Sequence, residues 1–206
     1  MIKNIIFDFD GVILDSMDVK TESFRKLFET FSQEKIDKFI EFHMENGGMS
    51  RYKKIEYFFN ILLNKNISED IVIKYAKKYS KITKQELSKK SYLIKDTVNF
   101  IKNNYKKYNF HIASGADEND LKYICENLDL EKYFLSINGS PKIKDEIIRY
   151  ILERNNYEKN ETILIGDSVN DLESAKINGI EFYGYNNSRL NKNSKYIDTF
   201  LCFSVV

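Results

Sequence analysis

Two closely spaced pairs of aspartates stand far apart in the chain, Asp8 with Asp10 and Asp167 with Asp171, and between them lie Ser114-Gly115 and the lysines Lys142 and Lys144. Four carboxylates gathered in one place repel each other unless a cation sits among them. Hard oxygen donors, with no His close by and few Cys, fit Mg2+ rather than zinc. Mg2+ in turn commonly partners a phosphate. A carboxylate such as Asp8 can then attack phosphorus and form an aspartyl-phosphate. Asp10, two residues on, can protonate the departing oxygen and later take a proton from water. Ser114 and a lysine would hold the phosphoryl oxygens and balance their charge. Phosphoryl transfer asks mainly for positioning and electrostatics, and this set supplies both.

Such chemistry needs elements that bring the residues together. Ile2 to Phe9 is a short apolar run that stops at Asp10-Gly11, the pattern of a strand buried on both faces in a parallel sheet. Helical spacing follows. Phe24, Leu27, Phe28 and Phe31 stand at i, i+3, i+4 and i+7. Ile36, Phe39, Ile40 and His43 make a second apolar face, Tyr52, Ile55, Phe59 and Leu62 a third, and Ile71, Tyr75, Tyr79 and Ile82 a fourth. Ser68, before Glu69 and Asp70, offers a helix start. Residues 17–88 are therefore expected to hold helices and no strand.

Beyond residue 88 the two kinds of element alternate. The expected helices are 96–105, 117–128, 144–154 and 171–178, and the expected strands 109–114, 134–137, 162–165 and 180–185. Alternation predicts an α/β fold, a doubly wound parallel sheet. The first strand belongs to that sheet, so residues 17–88 are an insertion and residues 1–16 and 89–206 the core. The tail from Tyr196 to Val206 is apolar enough to pack back on the core. Ligands in open α/β sheets bind at the carboxyl ends of the strands, and Asp8, Asp10, Ser114, Gly115, Asp167 and Asp171 all fall just past an expected strand.

The same residues carry a family resemblance. Asp8-Phe9-Asp10-Gly11-Val12-Ile13-Leu14-Asp15-Ser16 resembles the first motif of the haloacid dehalogenase-like hydrolase superfamily. His111-Ile112-Ala113-Ser114-Gly115 is similar to its second motif, and Gly166-Asp167-Ser168-Val169-Asn170-Asp171 to its fourth. The resemblance implies a Rossmann-like core with an all-α cap inserted after the first motif. It gives Asp8 the nucleophile role and Asp10 the acid/base role. Asp8, the backbone carbonyl of Asp10 and Asp167 would bind Mg2+, with Asp171 supporting directly or through water. Gly139-Ser140-Pro141-Lys142-Ile143-Lys144 departs from the usual third motif, so either Lys142 or Lys144 is the phosphate-binding lysine, with Lys144 favoured. Members of similar sequence that cleave carbon–halogen or carbon–phosphorus bonds, or pump ions, lack Asp at the second position. Asp10 therefore implies a phosphate ester, hydrolysed by a phosphatase or rearranged by a sugar-phosphate mutase of the β-phosphoglucomutase type, the phosphatase being the commoner case.

Caps of this kind exclude water and choose the substrate. Glu45 to Lys54 holds two of the eight glycines, Gly47 and Gly48, followed by Ser50, Arg51 and Lys54. Flexible backbone beside cations can reach an anionic substrate, which nominates Gly48, Ser50, Arg51 and Lys54 as substrate-binding residues. The alternative is a turn between helices with Ser50 as N-cap and solvated cations. If Arg51 contacts the substrate, Arg51→Ala raises KM or lowers kcat/KM. His43, on an apolar helical face, is expected to pack, His111 to be structural within its strand, and Cys125 to lie in the core; Asp15 and Ser16 are expected to act locally at the cap hinge.

Composition narrows the rest. Lys+Arg number 32 and Asp+Glu 31 in 206 residues, so the basic surplus of a nucleic-acid or anionic-membrane binder is missing. Cys125 and Cys202 are too few for a disulfide scaffold and fit a reducing compartment. No run reaches the roughly 18 apolar residues of a membrane span, and the N-terminus meets acidic residues too early for a signal peptide. A cytoplasmic enzyme is expected, acting with Mg2+ on a small phosphorylated metabolite, a sugar phosphate or similar compound. A receiver-type signalling module would not need the helical insertion, and a ligand-binding relative without activity would not need every one of these side chains.

Overall fold

The computed structural model describes residues 1–203. Strand β1 (Asn4–Phe7) is buried at every position, because it lies inside the sheet with parallel partners on both sides. These are β2 (Asn109–Asp117) and β4 (Thr162–Gly166). Outward from them come β3 (Ser136–Ser140), β5 (Glu181–Tyr185) and β6 (Lys195–Ile197), in the order β3-β2-β1-β4-β5-β6. All neighbouring pairs are parallel. Successive side chains of a strand point to opposite faces. Ile5 and Phe7 accordingly join one apolar cluster with Phe110, Ile112, Ile101 and Leu121, whereas Ile6 joins another with Ala113, Ile148 and Leu164. Helices α5 (Lys95–Asn104), α6 (Glu118–Asn127), α7 (Lys144–Asn155) and α8 (Val169–Asn178) cover the two faces. The α/β class and doubly wound parallel sheet are as expected.

Three differences from expectation have local causes. The third strand is Ser136–Ser140 rather than 134–137. Phe134 instead packs its ring edge-on to Phe7, 6.2 Å between centroids, and polar Asn138 fits the strand because its amide donates to the Ile112 carbonyl at 3.2 Å. Strand β2 runs past Ser114 to Asp117, with a register shift between Ala113 and Asp117, and the Asp117 side chain caps α6. Strand β6 has three residues, of which only Ile197 is buried, too few to show an apolar pattern. Of the tail, Phe200 is buried against the core; residues 204–206 lie outside the described residues.

Between β1 and β2 come α1 (Met17–Leu27), α2 (Gln33–Glu45), α3 (Arg51–Tyr57), a π-helical turn (Phe58–Leu62) and α4 (Glu69–Leu87). They share an apolar cluster of their own around Phe24, Phe28, Phe39, Phe58 and Tyr79. Phe31 lies beyond the end of α1, with its ring edge-on to Phe58 at 5.1 Å. The buried face of α4 is Val72, Ala76, Tyr79, Thr83 and Leu87, which leaves Ile71 39% exposed. Small Ala76 and Thr83 sit where α4 meets its neighbours, and an apolar pattern weighted by side-chain size misses them.

Phe28 is fully buried, stacked on Phe58 at 3.8 Å and edge-on to Phe39 at 5.0 Å. Phe28→Ala is expected to cost about 3–5 kcal/mol in urea unfolding. A loss below about 1 kcal/mol would mean that this cluster does not hold the four helices together.

Candidate active site

Asp8 follows β1 directly and is 2% exposed, and Asp167 follows β4. Asp171 reaches the same place from the first turn of α8, where it forms a capping box with Ser168. One carboxylate oxygen from each of Asp8, Asp167 and Asp171 lies within 4.8 Å of the others. Gly11 adopts φ 75, and a Cβ there would collide with the Asp167 carboxylate. Only glycine suits both the conformation and the space.

Lys144, the first residue of α7, is buried between two of these carboxylates, 3.0 Å from Asp8 and hydrogen-bonded to Asp171. Burial first, then repulsion from Asp171, lifts the Asp8 carboxyl to about 7 in spite of Lys144. Burial first, then Asp8, lifts Asp167 to about 8. Burial works against the Lys144 ammonium, but Asp171 and Asp8 hold it above its ordinary value. Three carboxylates, two buried and one half-buried, with one lysine among them remain short of positive charge. The donor set is hard oxygen, so it fits a divalent cation of the Mg2+ kind. Both Asp171 oxygens are already engaged, by Lys144 and by Ser168, whereas Asp167 has no hydrogen bond to its carboxylate among the described residues.

Asp10 is set apart from this cluster. Its carboxylate accepts from the Ser16 hydroxyl at 2.5 Å and pairs with Lys20. Burial opposes ionisation, yet Lys20 and then Ser16 hold Asp10 below the usual carboxylate range. Two carboxyl groups two residues apart thus sit in opposite electrostatic settings.

Ser114 is buried at the end of the sheet, where its hydroxyl accepts from the Ala116 N–H at 3.1 Å. A Cβ on Gly115 would strike the backbone carbonyl of Gly48, so the loop before α3 rests directly on this turn. Of the two candidate lysines, Lys144 lies in the carboxylate cluster. Lys142 is exposed, with its ammonium 5.1 Å from the centre of the Tyr150 ring, two residues before the inward-facing start of α7. It lines a cleft of about 700 Å³ between α3 and α7, as Ser50 does.

Above the carboxylates lies a small cavity of about 30 Å³, with Asp8, Asp10 and Asp167 on one side and Lys20, Arg51 and Lys54 on the other. Gly48 also lines it. Arg51 is buried and committed: it donates to Asp120 at 2.5 Å and to Ser80 at 2.7 Å, with its guanidinium 4.9 Å from the Tyr79 ring centre. The next residue, Tyr52, donates to Asp117 at 2.5 Å. Ser50 accepts from the Lys53 N–H as the N-cap of α3. Lys54 is buried, 2.8 Å from His43 Nδ1. His43 packs between Phe24 and Phe39 and also lines the cavity. His111 is tied to Ser136 and Tyr157, and Cys125 is fully buried. Lys20, Asp117 and Asp120 were not among the residues singled out from sequence. Lys20 stands one helical turn after Ser16, the single local hint available; Asp120 meets Arg51 across 69 residues, and nothing local signals that.

Residues 5–185 match the haloacid dehalogenase-like hydrolase family, and the chain belongs to it. A curated relative, the phosphorylated carbohydrates phosphatase of Thermotoga maritima, is 26% identical over 186 residues, covering 87% of this chain and 83% of the relative. Among solved structures, β-phosphoglucomutase from Clostridium difficile superposes with a TM-score of 0.81 at 18% identity, over 99% of this chain and 94% of that one. CbbY from Rhodobacter sphaeroides, in complex with xylulose-1,5-bisphosphate, gives 0.77 at 14% identity, over 97% and 95%. At these identities the two structures speak to fold alone.

Asp120→Ala strands the Arg51 guanidinium without its carboxylate and is expected to cost about 1–3 kcal/mol in urea unfolding. The double variant Arg51→Met/Asp120→Leu should recover most of that loss. Equal losses in single and double variants would show that the pair does not couple α3 to α6.

Proposed function

We propose that the protein is a Mg2+-dependent phosphatase that hydrolyses a small phosphorylated metabolite, a sugar phosphate or similar compound, through an aspartyl-phosphate on Asp8. The observation that carries this proposal is the cluster of Asp8, Asp167 and Asp171 with Lys144 at the strand ends, with Asp10 close by, held by Ser16 and Lys20. Family membership supports it, as does the named activity of the Thermotoga relative on phosphorylated carbohydrates. Residues 17–88 would be the cap that covers the site, and a cytoplasmic setting suits two free cysteines. No helix of the described residues is long and apolar enough to cross a membrane.

In this mechanism Asp8, Asp167 and the backbone carbonyl of Asp10 hold the metal, with Asp171 behind them. Bound Mg2+ offsets the repulsion between a carboxylate nucleophile and the phosphoryl oxygens. An Asp8 oxygen forms a bond to phosphorus while the bond to the ester oxygen breaks, and Asp10, once parted from Lys20 and protonated, gives that oxygen its proton. Water then attacks phosphorus, Asp10 takes the proton back, and Asp8 is freed. Lys144 and Ser114 neutralise and orient the phosphoryl oxygens at the end of the sheet, with Gly115 leaving room for the Gly48 loop above. Gly48, Arg51 and Lys54 face the rest of the substrate from the cap side of the cavity, and Ser50 from the adjoining cleft.

Phosphate release from a panel of phosphorylated metabolites should require Mg2+ and stop in EDTA. Asp8→Asn should lower turnover at least about a thousandfold with an unchanged melting temperature; substantial residual turnover would remove Asp8 from the nucleophile role. An isomerised sugar phosphate in place of free phosphate would identify a mutase. Independently of activity, Mg2+ at about a hundred times its Kd should raise the melting temperature by about 5 °C. Asp167→Asn should erase that rise, and a rise of equal size in the variant would place the ion elsewhere.

A further inference from the structure

Lys54 is the one cation of the cavity wall without an acidic partner among the described residues. Lys20 is paired with Asp10 and Arg51 with Asp120. The Lys54 ammonium, 2% exposed, has only His43: the ring Nδ1 at 2.8 Å and the backbone carbonyl at 3.3 Å. An ammonium donates, so Nδ1 accepts and the imidazole proton resides on Nε2. That Nε2 is itself buried without a hydrogen-bond partner. Both residues line the cavity that holds Asp8, Asp10 and Asp167. Burying a lysine with no carboxylate in contact is costly, although Asp10 across the cavity offsets part of it. Burial first, then repulsion from Lys20, pulls its ammonium down to about 7. A buried ammonium whose acceptors all belong to one neutral histidine, beside a buried ring N–H with no acceptor, describes a place prepared for an anionic oxygen.

Resting on the phosphatase proposal, we infer that Lys54, with His43 beside it, receives a singly charged carboxylate at the far end of the substrate, so that the substrate class is a small phosphorylated hydroxy acid, sugar acid phosphates included. A carboxylate fits better than a second phosphate on charge. One uncommitted ammonium balances one negative charge, while a phosphate brings nearly two. The start of α6 beside Arg51 adds Asp117, Glu118 and Asp120 rather than further cations. The consequence reaches the reaction type. A mutase that returns the phosphoryl group from Asp8 to a second hydroxyl passes through a bisphosphate, and this end of the cavity lacks the positive charge to hold one.

The test uses the Mg2+-loaded full chain and two esters of matched length, 3-phosphoglycerate and glycerol 3-phosphate, which differ by a carboxylate in place of a hydroxymethyl group. The carboxylate ester is expected to have a kcat/KM at least about tenfold higher, chiefly through KM. In Lys54→Met that ratio should fall to near one, and Lys54→Gln serves the same comparison if the first variant does not fold. A ratio near one in the unaltered protein, or a preference that survives both variants, overturns the inference while leaving the phosphatase intact. If neither ester releases phosphate, calorimetric binding of the two esters to Asp8→Asn, with and without Lys54→Met, decides the matter. A carboxylate preference that depends on Lys54 would then uphold the inference although the phosphatase proposal had failed, and equal binding would overturn it.

Discussion

The site is organised around a charge problem. Parallel strands β1 and β4 end side by side, so the residues that follow them, Asp8 and Asp167, are forced into proximity, and α8 adds Asp171 from below. Carboxylates so close and so buried are unstable as a group unless positive charge is supplied. The chain supplies one charge, Lys144, at the start of α7. The remainder of the deficit fits a divalent cation, the one the proposed mechanism calls for. Much nearby detail serves this balance: the capping box that fixes Asp171, the glycine at position 11 that makes room for Asp167, and the separate anchoring of Asp10.

Where the carboxylates come from the sheet, the cations opposite them come from the helical insertion. Lys20 lies on α1 and Arg51 and Lys54 on α3, and the insertion has its own apolar cluster. It can therefore act as a unit that brings positive charge over a negative floor. Its attachment to the core combines apolar contacts of Val19 and Leu87 with specific polar ones. Arg51 and Tyr52, adjacent on α3, reach Asp120 and Asp117 at the start of α6. Polar latches of this kind exchange with water more readily than an apolar interface does, which suits a cover that has to part from the core for a substrate to enter. The same latch gives Arg51, a cavity-lining residue proposed to face the substrate, a partner in the core as well.

How much of this was legible beforehand depended on the range of the interaction. The apolar run before Asp8, the runs before Ser114 and Asp167, and the alternation of helix and strand are local features, and they sufficed to place the first, second and fourth strands and the carboxylate edge. Edge elements escaped for an equally local reason: β6 buries one residue, and β3 contains Ser136 and Asn138, whose polar side chains are satisfied by partners distant in sequence. The choice between Lys142 and Lys144 was open on spacing alone, since both precede or begin a helix; in three dimensions Lys144 is buried among the carboxylates and Lys142 is exposed.

By itself, then, the sequence determined the class of fold, the edge at which chemistry collects and the kinds of group gathered there, because strand burial and helical spacing are encoded residue by residue. Only the tertiary structure decided which charges meet. That Arg51 is spent on Asp120, that Asp10 rests against Ser16 and Lys20, and that Lys54 is left with a histidine and no carboxylate all follow from how the cap packs on the core. Electrostatic partners are set by distance and burial in three dimensions, and a linear pattern carries neither.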